Sequence, residues 1–159
     1  KEELETTLRW IREEIKDAPI SIPLGTMIET PRAALIAGDL APLVDFMSFG
    51  TNDLTQMTYG FSRDDVEASV IKKYIEMDIL QESPFAQLDA LGVGKLVQEA
   101  INSSRAVNPK IKIGICGEHG GDPTSIRFLA NSGVNYVSCS PPRIPIARLV
   151  CAQESLNNQ

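Results

Sequence analysis

Apolar positions follow two rhythms along this chain. Leu4, Leu8, Ile11 and Ile15 recur every three to four residues with Glu, Lys and Arg between them, which predicts an amphipathic helix. Asp17-Ala18-Pro19 ends it. The second half of residues 20–29, apolar except for Thr26, predicts a first strand that terminates on Glu29. Thr30 and Pro31 then suit the cap and first position of a helix running through Leu35, Ile36 and Leu40. Phe46, Met47 and Phe49 are apolar on both alternations, as in a strand covered on both faces, and Gly50 lets the backbone bend or approach a ligand.

After Asp53 comes a long excursion. Phe61 to Asp65 is polar and turn-like, a short helix is expected around Val70, Tyr74, Ile75 and Ile79, and Glu82-Ser83-Pro84-Phe85 breaks it. A further helix opens at Gly92, buries Leu96, Val97, Ala100 and Ile101, and ends near Asn108-Pro109. Residues 111–117 read as the third strand. Asp122 caps and Pro123 opens a helix with Ile126, Leu129 and Ala130, closed by Asn131-Ser132-Gly133. Residues 134–139 read as the fourth strand, and Ile146, Leu149 and Val150 mark a last helix. Residues from 153 to 159 form a polar tail, expected to fray from about 154.

The cadence is one helix, then strand–helix four times, which predicts an α/β fold with parallel strands and right-handed crossovers. Four strands make a small open sheet or half of an eight-stranded barrel. A complete (β/α)8 barrel takes roughly 250 residues, so residues 1–159 are expected to form a single partial domain. The formal net charge of −6 disfavours nucleic-acid partners but not a small phosphorylated ligand. No apolar run approaches a membrane span, and the charged start lacks the form of a signal peptide. Three sparse cysteines fit free thiols in a reducing, intracellular setting, cytoplasmic or organellar.

Polar side chains gather at the carboxyl ends of the expected strands: Glu29; Thr51, Asn52 and Asp53; Cys116 with Glu118 and His119; and Ser138, Cys139 and Ser140. In a parallel sheet these share one rim, where α/β folds place their chemistry. Thr51, Asn52 and Asp53 could equally be helix-capping residues. Glu29 and Asp53 end consecutive strands, and two adjacent carboxylates invite a cation, Mg²⁺ or Mn²⁺ completed by water and substrate; Glu29 could otherwise pair with Arg32. Cys116, between glycines, is either a small packing residue or a proton donor. Cys139 and Cys151 read as packing residues, and His119 as a loop support at least as readily as a catalyst. Gly92-Val93-Gly94 lacks the third glycine and preceding strand of a nucleotide loop.

Three blocks carry a resemblance: Gly25-Thr26-Met27-Ile28-Glu29-Thr30-Pro31-Arg32-Ala33-Ala34, Phe49-Gly50-Thr51-Asn52-Asp53-Leu54-Thr55-Gln56 and Gly114-Ile115-Cys116-Gly117-Glu118. They resemble the phosphoenolpyruvate-utilising enzymes. Gly117 to Gly121, Phe61 to Asp65 with the insertion after it, and Ser138 to Pro141 running on to Arg143 and Arg148 resemble the pyruvate, phosphate dikinase branch more than phosphoenolpyruvate synthase or enzyme I of the sugar phosphotransferase system.

The resemblance implies strands five to eight of a phosphoenolpyruvate/pyruvate-binding TIM barrel. It implies Mg²⁺ on Glu29 and Asp53, bridging substrate oxygens, and a substrate carboxylate or phosphate held by Asn52 and the Gly50–Thr51 backbone. Cys116 becomes the general acid for the enolpyruvate methylene carbon, with Ser48 and Tyr136 in a hydroxyl network beside it. The parent would interconvert ATP, phosphate and pyruvate with AMP, diphosphate and phosphoenolpyruvate through a phosphohistidine, as a homodimer. Its early-strand arginines, ATP-binding domain and phosphohistidine domain lie outside these residues, so the chain alone is expected to be inactive. Pro142 stands where the family usually has Phe. The rival readings are a phosphoenolpyruvate synthase-like enzyme and a non-catalytic half-barrel interaction protein.

Overall fold

The computed structural model describes residues 1–157. Helix α1 (Glu2–Glu14) leads into strand β1 (Gly25–Ile28). Thr30 caps α2 (Pro31–Leu35) by accepting a hydrogen bond from the Ala33 amide at 3.1 Å. The helix expected through Leu40 is broken at Ile36, whose ψ of 18° leaves the helical range, and resumes as α3 (Ala37–Leu40). Strand β2 (Phe46–Gly50) runs directly into α4 (Thr51–Tyr59). The excursion holds α5 (Arg63–Val66), a π-type turn (Glu67–Ile71) and α6 (Lys72–Glu76). Then come α7 (Val93–Val107), β3 (Lys112–Cys116), a 3-10 turn (Glu118–Gly121), α8 (Pro123–Ser132), β4 (Tyr136–Val137) and α9 (Ile144–Asn157).

All three strand pairings are parallel, and the strands lie in chain order, β1-β2-β3-β4. A doubly wound sheet would reverse its order part-way; an unbroken succession of βα units is half of a (β/α) barrel. The register places Ile28 beside Phe49 and Met47 beside Ile113, and these side chains, with Ile115, form the face covered by helices. Val97, Ala100 and Ile101 of α7 and Leu129 of α8 complete the same core.

The opposite face carries Met27, Phe46, Ser48, Gly114 and Tyr136 and is open. Met27 is 46% exposed and Tyr136 42%. The expectation that β2 is covered on both faces therefore holds for one face only. The apolar residues of its other alternation line what would be the interior of a closed barrel.

Two further expectations shift. β4 is only two residues long because the Asn135 side chain, rather than backbone, takes the Ile113 N–H at 2.8 Å where the ladder begins. Ile146 and Leu149 of α9 are exposed, and Val150 alone on that helix is buried. Helix α9 continues to Asn157, so residues 154–157 of the expected tail are helical; 158 and 159 lie outside the described residues. No helix among the described residues is long and apolar enough to cross a membrane.

Candidate functional site

Gly50 is the pivot of the rim. It ends β2 and caps α4 without a side-chain hydrogen bond, so the first N–H groups of α4 have no capping side chain. A Cβ on Gly50 would lie 2.7 Å from Glu29 Oε2 and 2.9 Å from Glu29 Cβ. The Glu29 carboxylate thus rests over a bare α-carbon, a place open to it only because this residue is glycine. Asp53 stands three residues further on, exposed, in the first turn of α4. The two acids therefore sit at the same end of neighbouring strands. No ion pair joins Glu29 to Arg32 among the described residues. Nor is there, among those residues, any group of three or more His, Cys, Asp and Glu able to hold a metal ion. Two carboxylates with open positions are what remains.

Cys116 ends β3, level with Gly50 in the register. Its thiol is half-buried, accepts a hydrogen bond from Ser48 Oγ at 3.5 Å and donates to the Phe49 carbonyl at 3.3 Å. Ser48 and Cys116 lie on the open face because residues two apart along a strand point the same way. Tyr136 lies on the same face over Gly114, so close that an added Cβ would collide with Tyr136 Cζ, and among the described residues no hydrogen bond links it to Ser48 or Cys116.

Thr51 and Asn52 do not cap α4. Thr51 is buried, with its hydroxyl oxygen 3.2 Å from the Cys116 carbonyl and 2.8 Å from His119 Nδ1; its single proton goes to Nδ1, the nearer acceptor, once the His119 proton sits on Nε2. Asn52 Oδ1 accepts the Glu118 amide at 3.1 Å. Both side chains stitch the β2 end to the β3 end. His119 is fully buried, with Nε2 at 2.9 Å from the Pro84 carbonyl. That oxygen can only accept, so Nε2 carries the proton. Burial holds the imidazole below its ordinary pKa of 6.5, against the opposing pull of the Pro84 bond, Glu118 and Asp122. His119 therefore acts as a strut between α4, the 118–121 turn and the excursion.

Ser138, Cys139 and Ser140 line a cavity of about 340 Å³ with Glu118 and Arg143, beside the Cys116 rim. Cys139 and Cys151 line a separate groove behind β4 with Ile144, and both thiols are free.

Gln56 and Arg63 escaped the sequence reading. Gln56 Nε2 donates to Asp53 Oδ1 at 3.0 Å, and Gln56 Oε1 accepts the Arg63 amide at 2.8 Å. The usable signal was spacing: in a helix starting at Thr51, positions 53 and 56 share a face. Leu54 and Met57 are the only aliphatic positions in α4, and Met57 is exposed, so the apolar period there is weak.

The sequence profile described as "PEP-utilising enzyme, PEP-binding domain" matches residues 1–156. The chain belongs to this family. It is 56% identical to the chloroplastic pyruvate, phosphate dikinase 1 of Arabidopsis thaliana over 138 residues, 87% of this chain and 14% of that protein. It is 54% identical to pyruvate, phosphate dikinase of Clostridium symbiosum over 144 residues, 91% of this chain and 16% of that protein. The identity to pyruvate, phosphate dikinase 2 of Zea mays is 57% over 134 residues, 84% of this chain and 15% of that protein. The chain thus spans about one seventh of the length of these relatives. The motif resemblance and the half-barrel architecture agree with this membership.

Proposed function

We propose that this chain supplies half of the pyruvate/phosphoenolpyruvate site of a pyruvate, phosphate dikinase. In this reading the full-length protein interconverts ATP, phosphate and pyruvate with AMP, diphosphate and phosphoenolpyruvate through a phosphohistidine carried elsewhere. It works as a homodimer, in the cytoplasm or an organelle. The observation that carries the reading is the Cys116 thiol, hydrogen-bonded to Ser48, on the same rim as Glu29, Asp53 and the uncapped start of α4.

Glu29 and Asp53 suit a hard divalent cation, Mg²⁺ or Mn²⁺, since two carboxylates leave positions for water and substrate. The space above Gly50, which a Cβ would fill, fits that role. A bound cation would supply stabilisation of negative charge developing on the substrate oxygens. The remaining work falls to side chains and backbone. The N–H groups opening α4 at Gly50, Thr51 and Asn52 favour a carboxylate or phosphate. Cys116 S–H gives its proton to the methylene carbon of enolpyruvate: the S–H bond breaks, a C–H bond forms and a thiolate remains. Ser48, already donating to Sγ, stabilises that thiolate, and Tyr136 borders it on the open face. In reverse the thiolate withdraws a methyl proton.

The test is calorimetry of Mg²⁺-dependent pyruvate binding to the full-length protein. Glu29→Gln and Asp53→Asn should each abolish it. Binding intact in both variants would remove the metal assignment and leave the motif match as ancestry.

A further inference from the structure

We infer that Gln56 is a positioning residue for Asp53, anchored by Arg63 in a closed circuit of hydrogen bonds around the rim. The inference rests on the reading of Asp53 as a cation ligand. Asp53 is exposed, and nothing in an open first helical turn fixes a carboxylate. Gln56, one turn on, donates from Nε2 to Oδ1 and leaves Oδ2 free for a ligand. The orientation of that amide is forced. The Arg63 backbone N–H can only donate, so the amide oxygen must face it at 2.8 Å and the amide nitrogen must face Asp53.

Arg63 is held in turn. Nη1 donates to Glu118 Oε2 at 3.0 Å, Nε donates to Glu67 Oε2 at 3.1 Å, and the guanidinium lies 5.9 Å from the ring centre of buried Phe85. Glu118 closes the loop, because its amide donates to Asn52, the residue next to Asp53. Five hydrogen-bonded residues from three segments, Asn52, Gln56, Arg63, Glu67 and Glu118, therefore surround one carboxylate. The segment following α4 is thereby tied to the site it flanks.

Outer partners of metal-binding carboxylates typically change affinity by about 10- to 100-fold. The experiment is Mn²⁺ binding, followed by electron paramagnetic resonance, in the full-length protein and in Gln56→Met, Gln56→Leu and Asp53→Asn. Gln56 is only half-buried, and two apolar variants guard against one that misfolds. Expected are a dissociation constant raised about tenfold in both Gln56 variants, and pyruvate methyl-proton exchange that returns to the wild-type rate at saturating Mn²⁺. A merely structural role would lower the rate at saturation. If Asp53→Asn loses Mn²⁺ while both Gln56 variants bind it like wild type, the positioning role is overturned. If Asp53→Asn itself binds Mn²⁺ normally, the cation reading beneath it fails, whatever the Gln56 variants do.

Discussion

Gly50→Ala separates the site's geometry from its stability. Gly50 has φ −82°, which alanine adopts freely, so the substitution carries no backbone strain. Its cost is steric. The new methyl would stand 2.7 Å from Glu29 Oε2, 2.9 Å from Glu29 Cβ and 3.0 Å from Met27 Sδ, where ordinary contact begins at 3.4 Å. The carboxylate must retreat by about 0.7 Å, and rotation alone cannot relieve the contact with Glu29 Cβ in a close-packed setting. Restricting the unfolded chain stabilises by about 0.4–1 kcal/mol, and overpacking destabilises by about 1–3 kcal/mol. The net is roughly 1 kcal/mol of lost stability, or about 2–4 °C in Tm. Ligand sites tolerate errors of only about 0.2 Å, and a 1 Å displacement at a reacting centre can cost about 100-fold. Mn²⁺ affinity and methyl-proton exchange should therefore fall at least about tenfold in a protein that remains folded. Melting and Mn²⁺ titration on the same sample check this. A folded Gly50→Ala protein with wild-type Mn²⁺ affinity would refute the placement of Glu29 as a ligand held over a bare α-carbon.

Phe49, buried on the covered face, should cost about 3–5 kcal/mol on truncation to Ala in this 159-residue chain, measured by urea unfolding. Met27→Ala on the open face should change the same measurement by less than about 0.5 kcal/mol, but by about 2 kcal/mol or more in a full-length protein that closes the barrel over it. Equal effects in both contexts would contradict the half-barrel. His119 gives a pH signature. Its folded pKa lies below 6.5, so the unfolded chain binds the proton first as pH falls. Its contribution to stability is full above pH 6.5 and declines below it, by at most about 1.4 kcal/mol per pH unit. Unfolding free energies of wild type and His119→Gln between pH 5 and 8 should converge toward acid; curves that stay parallel would show that His119 does not titrate with folding.

Much of this fold was readable from the chain because buried parallel strands write themselves as short runs dominated by apolar residues. Ile111 to Cys116 and Phe46 to Phe49 are such runs, and the acids and thiol that follow them sit where the strands end. Other features hide from that reading for physical reasons. Helix α4 buries Thr51 and Thr55 beside a single aliphatic residue, Leu54, so hydrophobic period marks it only weakly. Thr51 looks like a cap but spends its hydroxyl on partners 65 and 68 residues away. His119 is buried through the Pro84 carbonyl, a contact no local pattern encodes. Ile146, Leu149 and Val150 mark the helix α9, yet only Val150 of the three is buried, because periodicity reports an apolar face without saying what covers it. β2 behaves in the same way: apolar residues fall on both its alternations, Phe46 on one and Met47 and Phe49 on the other, and this chain covers only the second.

In the proposed mechanism everything turns on the Cys116 thiol carrying the carbon-bound proton. The measurement is deuterium exchange into the methyl group of pyruvate, followed by proton NMR, with Mg²⁺ and the full-length protein. Cys116→Ala should abolish the exchange while ATP-dependent autophosphorylation continues unchanged. Exchange at the wild-type rate in Cys116→Ala would contradict the claim outright.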